Sequence, residues 1–143
     1  MIAVARGRHV IFGTGPVGAA LAHALEKSGR SVISVPVNEY GSDPYGITIM
    51  RGDPTDLEFV LRACSGAEVI YSCLNGPANE WKSTFPPIVD TLIDAARTTG
   101  AKLVHWDLAH MYGTTREPIT ESNPNSAKTD PAQVLIEIAD KII

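Results

Sequence analysis

The sequence predicts a Rossmann-type α/β fold, a doubly wound parallel sheet in three α/β/α layers, and three observations carry that prediction. Short β-branched runs alternate with longer stretches at helical spacing, the pattern of parallel strands joined by crossover helices. The runs are apolar almost throughout, which suits strands covered on both faces. A glycine-rich turn, Gly13-Thr14-Gly15-Pro16-Val17-Gly18, follows the first run directly and opens the first helical stretch.

The expected strands are residues 9–12, 31–35, 47–50, 68–71 and 102–105. Between the first two, Val17, Ala20, Leu21, Ala24 and Leu25 recur at helical spacing, with Pro16 suited to a first turn and Gly29 to a left-handed stop. After the third, the stretch from Asp53 to Glu58 offers an N-cap, a first-turn proline and a Thr55-to-Glu58 capping box ahead of Leu57, Val60, Leu61 and Cys64. After the fourth, Pro86-Pro87 opens a helix carrying Ile88, Leu92, Ile93 and Ala96, which Gly100 ends. A last helix starts at Asp130-Pro131. Its Val134, Leu135, Ile136, Ile138, Ala139, Ile142 and Ile143 run almost all round the cylinder, so cover on more than one side is expected. Residues 113–128 read as a long polar loop.

With 143 residues, 44% of them hydrophobic and 20% charged, the chain matches one globular domain spanning residues 1–143. A net charge of −4 gives a nucleic-acid role no electrostatic footing. The N-terminus is too soon interrupted by arginine for a signal peptide and no apolar run approaches membrane-spanning length, so a soluble, cytoplasmic protein is expected. Cys64 and Cys73 stand apart from any Cys-x-x-Cys or Cys/His cluster, which points to reduced core thiols and to no metal site.

In the context of strand, turn and helix, the glycines have distinct uses. The first permits a tight turn, the second lets backbone approach a pyrophosphate, and the third lets helix and strand pack, while the helix N-terminus offers amides and partial positive charge. A dinucleotide site is expected; the competing reading is a turn of structural use only. An acidic residue should then follow the second strand to bind ribose hydroxyls. Pro36 stands at the strand end, with Asn38 and Glu39 just beyond, and Glu39 serves if the loop folds back. No arginine lies between Pro36 and Met50 to grip a 2′-phosphate, although Arg51 is placed to reach the adenosine end. NAD is therefore favoured, without excluding NADP.

Arg51-Gly52-Asp53, the stretch from Gly66 to Tyr71, and Met111-Tyr112-Gly113 before Pro118-Ile-Thr-Glu121 follow in an order that resembles the NAD(P)-dependent epimerase/dehydratase family, the extended short-chain dehydrogenases/reductases. The resemblance covers nearly the whole chain. It implies Asp53, with Pro54 beside it, near the adenine, and activity on a sugar or alcohol; Cys73, Leu74 and Asn75 stand where a strand end meets the cofactor, and Asn75 is suited to bonding the ribose. Asn75 is also suited simply to holding the turn before Gly76-Pro77. The family usually spaces its glycines GxxGxxG, whereas this chain has GxGxxG, a form of some atypical members. In the family a serine or threonine follows the fifth strand, and a Tyr-x-x-x-Lys pair follows later, the tyrosine exchanging a proton with substrate while lysine lowers its pKa. Those positions hold Leu108, Ala132 and Ile136 here. Family members also run to roughly twice a single Rossmann domain, and the C-terminal substrate-binding part is expected to be absent.

A substitute acid/base set is geometrically available in His105, Asp107, His110 and Tyr112 at the carboxyl end of the fifth strand, with His110 and Tyr112 the candidates for catalysis. The alternative is that these side chains only pack. Trp81 and Phe85 either line a nicotinamide or substrate pocket or pack a loop. Three functions stay open: a nicotinamide-dependent oxidoreductase or epimerase, a catalytically silent dinucleotide-binding or regulatory module, and a fragment completed by a partner. Homodimerisation is expected through the helix after Pro87 and the C-terminal helix, where the resemblance implies a four-helix interface and Ile88, Leu92, Ile138 and Ile142 suit the contact.

Overall fold

The computed structural model describes residues 7–38 and 43–143. Glu39, the candidate ribose-reading carboxylate, lies outside them, as do the first six residues. Strands β1 (Arg8–Phe12), β2 (Ser31–Val35), β3 (Thr48–Ile49), β4 (Ala67–Ser72) and β5 (Lys102–His105) form one parallel sheet in the order β3-β2-β1-β4-β5. The chain steps outward from β1 to β2 and β3, then crosses to the other side of β1 for β4 and β5. The order reverses between β1 and β4, which is the doubly wound arrangement the alternating sequence predicts.

Helix α1 (Pro16–Lys27) packs on β1 and β2 from one side, around Ile11, Ala22 and Val32. Helices α2 (Leu57–Ala63), α3 (Trp81–Thr99) and α4 (Asp130–Ile142) cover the other face, where Phe12, Val35, Ile70, Leu92 and Leu135 form the larger core. On the α1 side the last residues of β5 are less covered, and Val104 and Trp106 remain 37% and 52% exposed.

Three expectations about the helices need correction. The cap of α2 is Asp56, whose carboxylate accepts the Glu58 amide at 3.0 Å, because Asp53 is turned onto Thr55 and the Thr55-to-Glu58 box does not form. Helix α3 starts at Trp81, so Pro86 and Pro87 sit inside it. Neither proline has an N–H to return to the preceding turn. The extra turn is held instead by the stacked rings of Trp81 and Phe85, with centroids 5.5 Å apart, and by the Trp81 indole N–H donating to the Gly76 carbonyl at 3.0 Å. Both rings are buried in the core.

Helix α4 has one covered face rather than apolar contact all round. Ala132, Val134, Leu135 and Ile138 are buried, Gln133, Glu137, Asp140 and Lys141 are exposed, and Ile136, Ala139 and Ile142 lie half-buried at the margins. Ile88, Leu92 and Ile138 are all within 2% of complete burial. Packing of α3 on α4 within one chain thus consumes three of the four side chains expected to meet a second subunit. Among the described residues, no helix is long and apolar enough to cross a membrane.

Candidate functional site

At the reversal of strand order the chain leaves β1 through Gly13 and enters α1. Gly13 has φ of 110°, a conformation L side chains rarely adopt, and its N–H donates to the Val35 carbonyl at 2.9 Å. A Cβ on Gly13 would lie 2.2 Å from the Cys73 carbonyl oxygen, and one on Gly18 would lie 1.9 Å from the Gly13 oxygen. The packing of the turn on β4, and of α1 on β1, therefore requires both glycines.

Gly15 differs. Its backbone is extended, with φ of −68° and ψ of −174°, and a Cβ there would meet nothing closer than the Asn75 Nδ2 at 3.6 Å. Nothing in the protein demands a bare backbone at Gly15, yet a side chain there would intrude on a cleft. Gly15 is also the N-cap of α1, and no side chain caps it. The Ala19 amide bonds back to the Gly15 carbonyl at 2.9 Å, so the Val17 and Gly18 amides stand ahead of the helical ladder, at the positive end of the dipole.

The cleft crosses the carboxyl edge of the sheet as two adjoining hollows that share Gly15, Cys73 and Asn75. Toward β2 it is lined by Gly13, Thr14, Val37 and Asn38. Toward β4 and β5 it is lined by Pro16, Val17, Leu74, Trp106 and Leu108, with a volume of about 100 Å³. Asn38 Nδ2 donates to the Asn75 carbonyl at 2.6 Å, tying the two sides together, and Asn75 Oδ1 holds its own turn by accepting the Gly76 amide at 2.9 Å. Burial pushes the Cys73 thiol up to about 11, so it stays protonated and inert at neutral pH.

Asp53 and Pro54 are not among the residues lining these hollows. Asp53 is exposed, and its carboxylate accepts the Thr55 hydroxyl and amide at 2.7 and 2.8 Å, which holds its pKa below the usual value. The Pro54 carbonyl accepts the Thr91 hydroxyl at 2.6 Å, fixing the loop to α3. Gly52 is required by packing, since a Cβ would overlap the Phe59 ring at 2.3 Å. Arg51 is engaged by the Asp43 carboxylate.

The proposed acid/base residues are scattered. His105 accepts or donates one hydrogen bond with the Ser72 hydroxyl at 2.9 Å, on the face away from α1, and burial lowers its pKa while Asp107 opposes the shift. The exposed His110 sets its ring edge-on to Trp81 with centroids 5.5 Å apart, and the half-buried Tyr112 packs on the core. Neither lines the cleft. Leu108 does, while Ala132 is buried in α4 and Ile136 packs against the core. Sequence reasoning passed over Trp106 and Val37. The signal for Trp106 was its place directly after the fifth strand, at the edge where open α/β sheets bind ligands. Among the described residues, no group of three or more His, Cys, Asp or Glu could hold a metal ion.

Comparison with curated proteins returns no match. Among solved structures, the UDP-glucose 4-epimerase of Thermus thermophilus in complex with NAD is similar, with a TM-score of 0.83 at 20% identity over 94% of this chain and 49% of that one. The dTDP-glucose 4,6-dehydratase of Bacillus anthracis in complex with NAD gives a TM-score of 0.82 at 14% identity over 94% and 49%. The Bordetella bronchiseptica enzyme WbmG in complex with NAD and UDP gives 0.82 at 18% identity over 96% and 49%. At these identities the likeness establishes the fold, and the chain spans about half the length of these structures. The family model described as the NAD dependent epimerase/dehydratase family matches residues 10–133. That match covers most of the chain, which therefore belongs to the NAD dependent epimerase/dehydratase family.

Proposed function

We propose that the chain binds NAD across this cleft and holds the cofactor half of an epimerase- or dehydratase-like site. The observation that carries the reading is Gly15, whose bare backbone serves no packing need and faces the cleft at an uncapped helix N-terminus. The pyrophosphate lies over Gly15 with Val17 and Gly18 amides toward it. The adenosine extends toward Val37 and Asn38 beyond β2, and the nicotinamide toward Leu74, Trp106 and Leu108. Arg51 is paired with the Asp43 carboxylate and lines neither hollow, which supports NAD over NADP. When bound, NAD supplies a hydride acceptor.

The chain's own residues do the holding and not the proton transfer. Among the described residues, Cys73 is the one titratable side chain lining the two hollows, and its thiol is held protonated. This favours a cofactor module whose substrate, a sugar or alcohol, and whose acid/base groups come from further polypeptide. Cytoplasmic placement and a homodimer belong to the same proposal. Ile136 and Ile142 of α4, which pack against the core and stay partly exposed, are the surface that supports the dimer.

Calorimetric titration with NAD and NADP tests the binding, and NAD should bind the more tightly. Absence of heat with either nucleotide would overturn it. Incubation with sugars or alcohols should give no steady NADH formation; turnover abolished by His110→Ala would instead restore the acid/base set around β5.

A further inference from the structure

We infer that Trp106 is the ring platform at the reaction end of the cleft, stacking on the nicotinamide and holding its cationic oxidised form more tightly than its neutral reduced form. The inference rests on the NAD reading above. Trp106 is fixed by its backbone, whose N–H donates to the Ser72 carbonyl on β4 at 2.9 Å. Val104 pairs in register with Tyr71, so alternation along β5 places the Trp106 side chain on the α1 face, beside Cys73 and the first turn of α1.

The indole is 52% exposed there, whereas the other tryptophan, Trp81, is 5% exposed in the core. Among the described residues none makes a ring contact, a cation contact or a side-chain hydrogen bond with Trp106. Its companions in that hollow, Leu74, Leu108 and Pro16, supply apolar walls and no charge. A flat ligand ring entering this end thus meets an indole with no other partner. The nearest carboxylate in sequence, Asp107, falls on the opposite face by alternation, and its Oδ1 accepts the Leu108 amide at 2.8 Å. Among the described residues no acidic group lines the hollow, so the preference for a positively charged ring comes from the indole's π face.

The test is calorimetric titration of NAD and NADH on the intact chain and on Trp106→Phe and Trp106→Leu, with far-ultraviolet circular dichroism to confirm the fold. The NADH-to-NAD ratio of dissociation constants should fall about fivefold in Trp106→Leu, the size of a cation–π contact, and less in Trp106→Phe, which keeps an aromatic face. Saturating NAD should also quench the exposed indole's emission in the intact chain, and that quenching should vanish in Trp106→Phe while Trp81 remains. Both nucleotides binding with a ratio unchanged by Trp106→Leu would overturn the inference and leave the cofactor site standing. Failure of the intact chain to bind either nucleotide would overturn both.

Discussion

Gly13, Gly15 and Gly18 occupy one motif and answer to different forces. Gly13 and Gly18 are fixed by backbone oxygens 2.2 and 1.9 Å from where a Cβ would stand, while a Cβ on Gly15 would meet only Asn75, at an ordinary contact distance of 3.6 Å. Gly13→Ala should destabilise the fold by about 1–3 kcal/mol through its positive φ, read as a lower urea midpoint. Gly15→Ala should change stability by no more than about 0.5 kcal/mol and leave that midpoint nearly unmoved. The motif was legible in the sequence because its flanks are a strand and a helix; which glycine faces a ligand was not, since that depends on Cys73 and Asn75, far along the chain on the other side of the turn. The imidazoles of His9 and His105 add a pH dependence at the same scale. Burial lowers both below the usual 6.5, aided at His9 by Arg30 and opposed by Glu68, and opposed at His105 by Asp107. The unfolded chain then binds protons the folded chain resists, so stability is full above about pH 6.5 and is lost as pH falls below it. Denaturant midpoints at about pH 7.5 and 5.5 should differ in that direction, and His105→Gln should narrow the gap.

Helix α2 shows how a short polar run defeats a reading of helix ends. Asp53, Thr55 and Asp56 all offer capping oxygens, and the choice is made by Asp53 folding onto Thr55 in a local turn. Asp56→Ala should cost about 1 kcal/mol, as loss of an N-cap does. In α3 tertiary contact overrides local preference, because two prolines that would ordinarily mark a helix start lie well inside it. Phe85, 3% exposed and stacked on Trp81, secures the first turn. Phe85→Ala should cost about 3–5 kcal/mol, with hydrogen exchange rising first across residues 81–85. The strands were easier to read. Their apolar runs report burial on both faces at the central β1, though not at the edge strands β3 and β5, and the expected bounds of each fall close to the observed ends.

Across the molecule, the parallel order and its reversal beside β1 follow from alternation and chain length, so the edge that carries the cleft was foreseeable. The partition of apolar surface was not. Periodicity shows that α4 is apolar on many sides and cannot show that Ile138 is covered within the chain rather than by a second subunit. Ile138→Asp should therefore unfold the chain by burying an unpaired charge, whereas Ile136→Asp, at a half-buried position on the edge of the core, should cost less stability and dissociate any dimer, as unfolding curves and light scattering would show.

The central claim is that the Gly15 face of the turn is a pyrophosphate seat, and NAD titration of Gly15→Val beside the intact chain, with both unfolding curves recorded, tests it most directly. The Cβ of a residue at Gly15 stands 3.6 Å from Asn75 Nδ2, an ordinary contact, and the position lines the cleft. Unchanged stability with affinity weakened at least about tenfold, or about 1.4 kcal/mol, is the expected result; NAD binding equally well to both chains would contradict it.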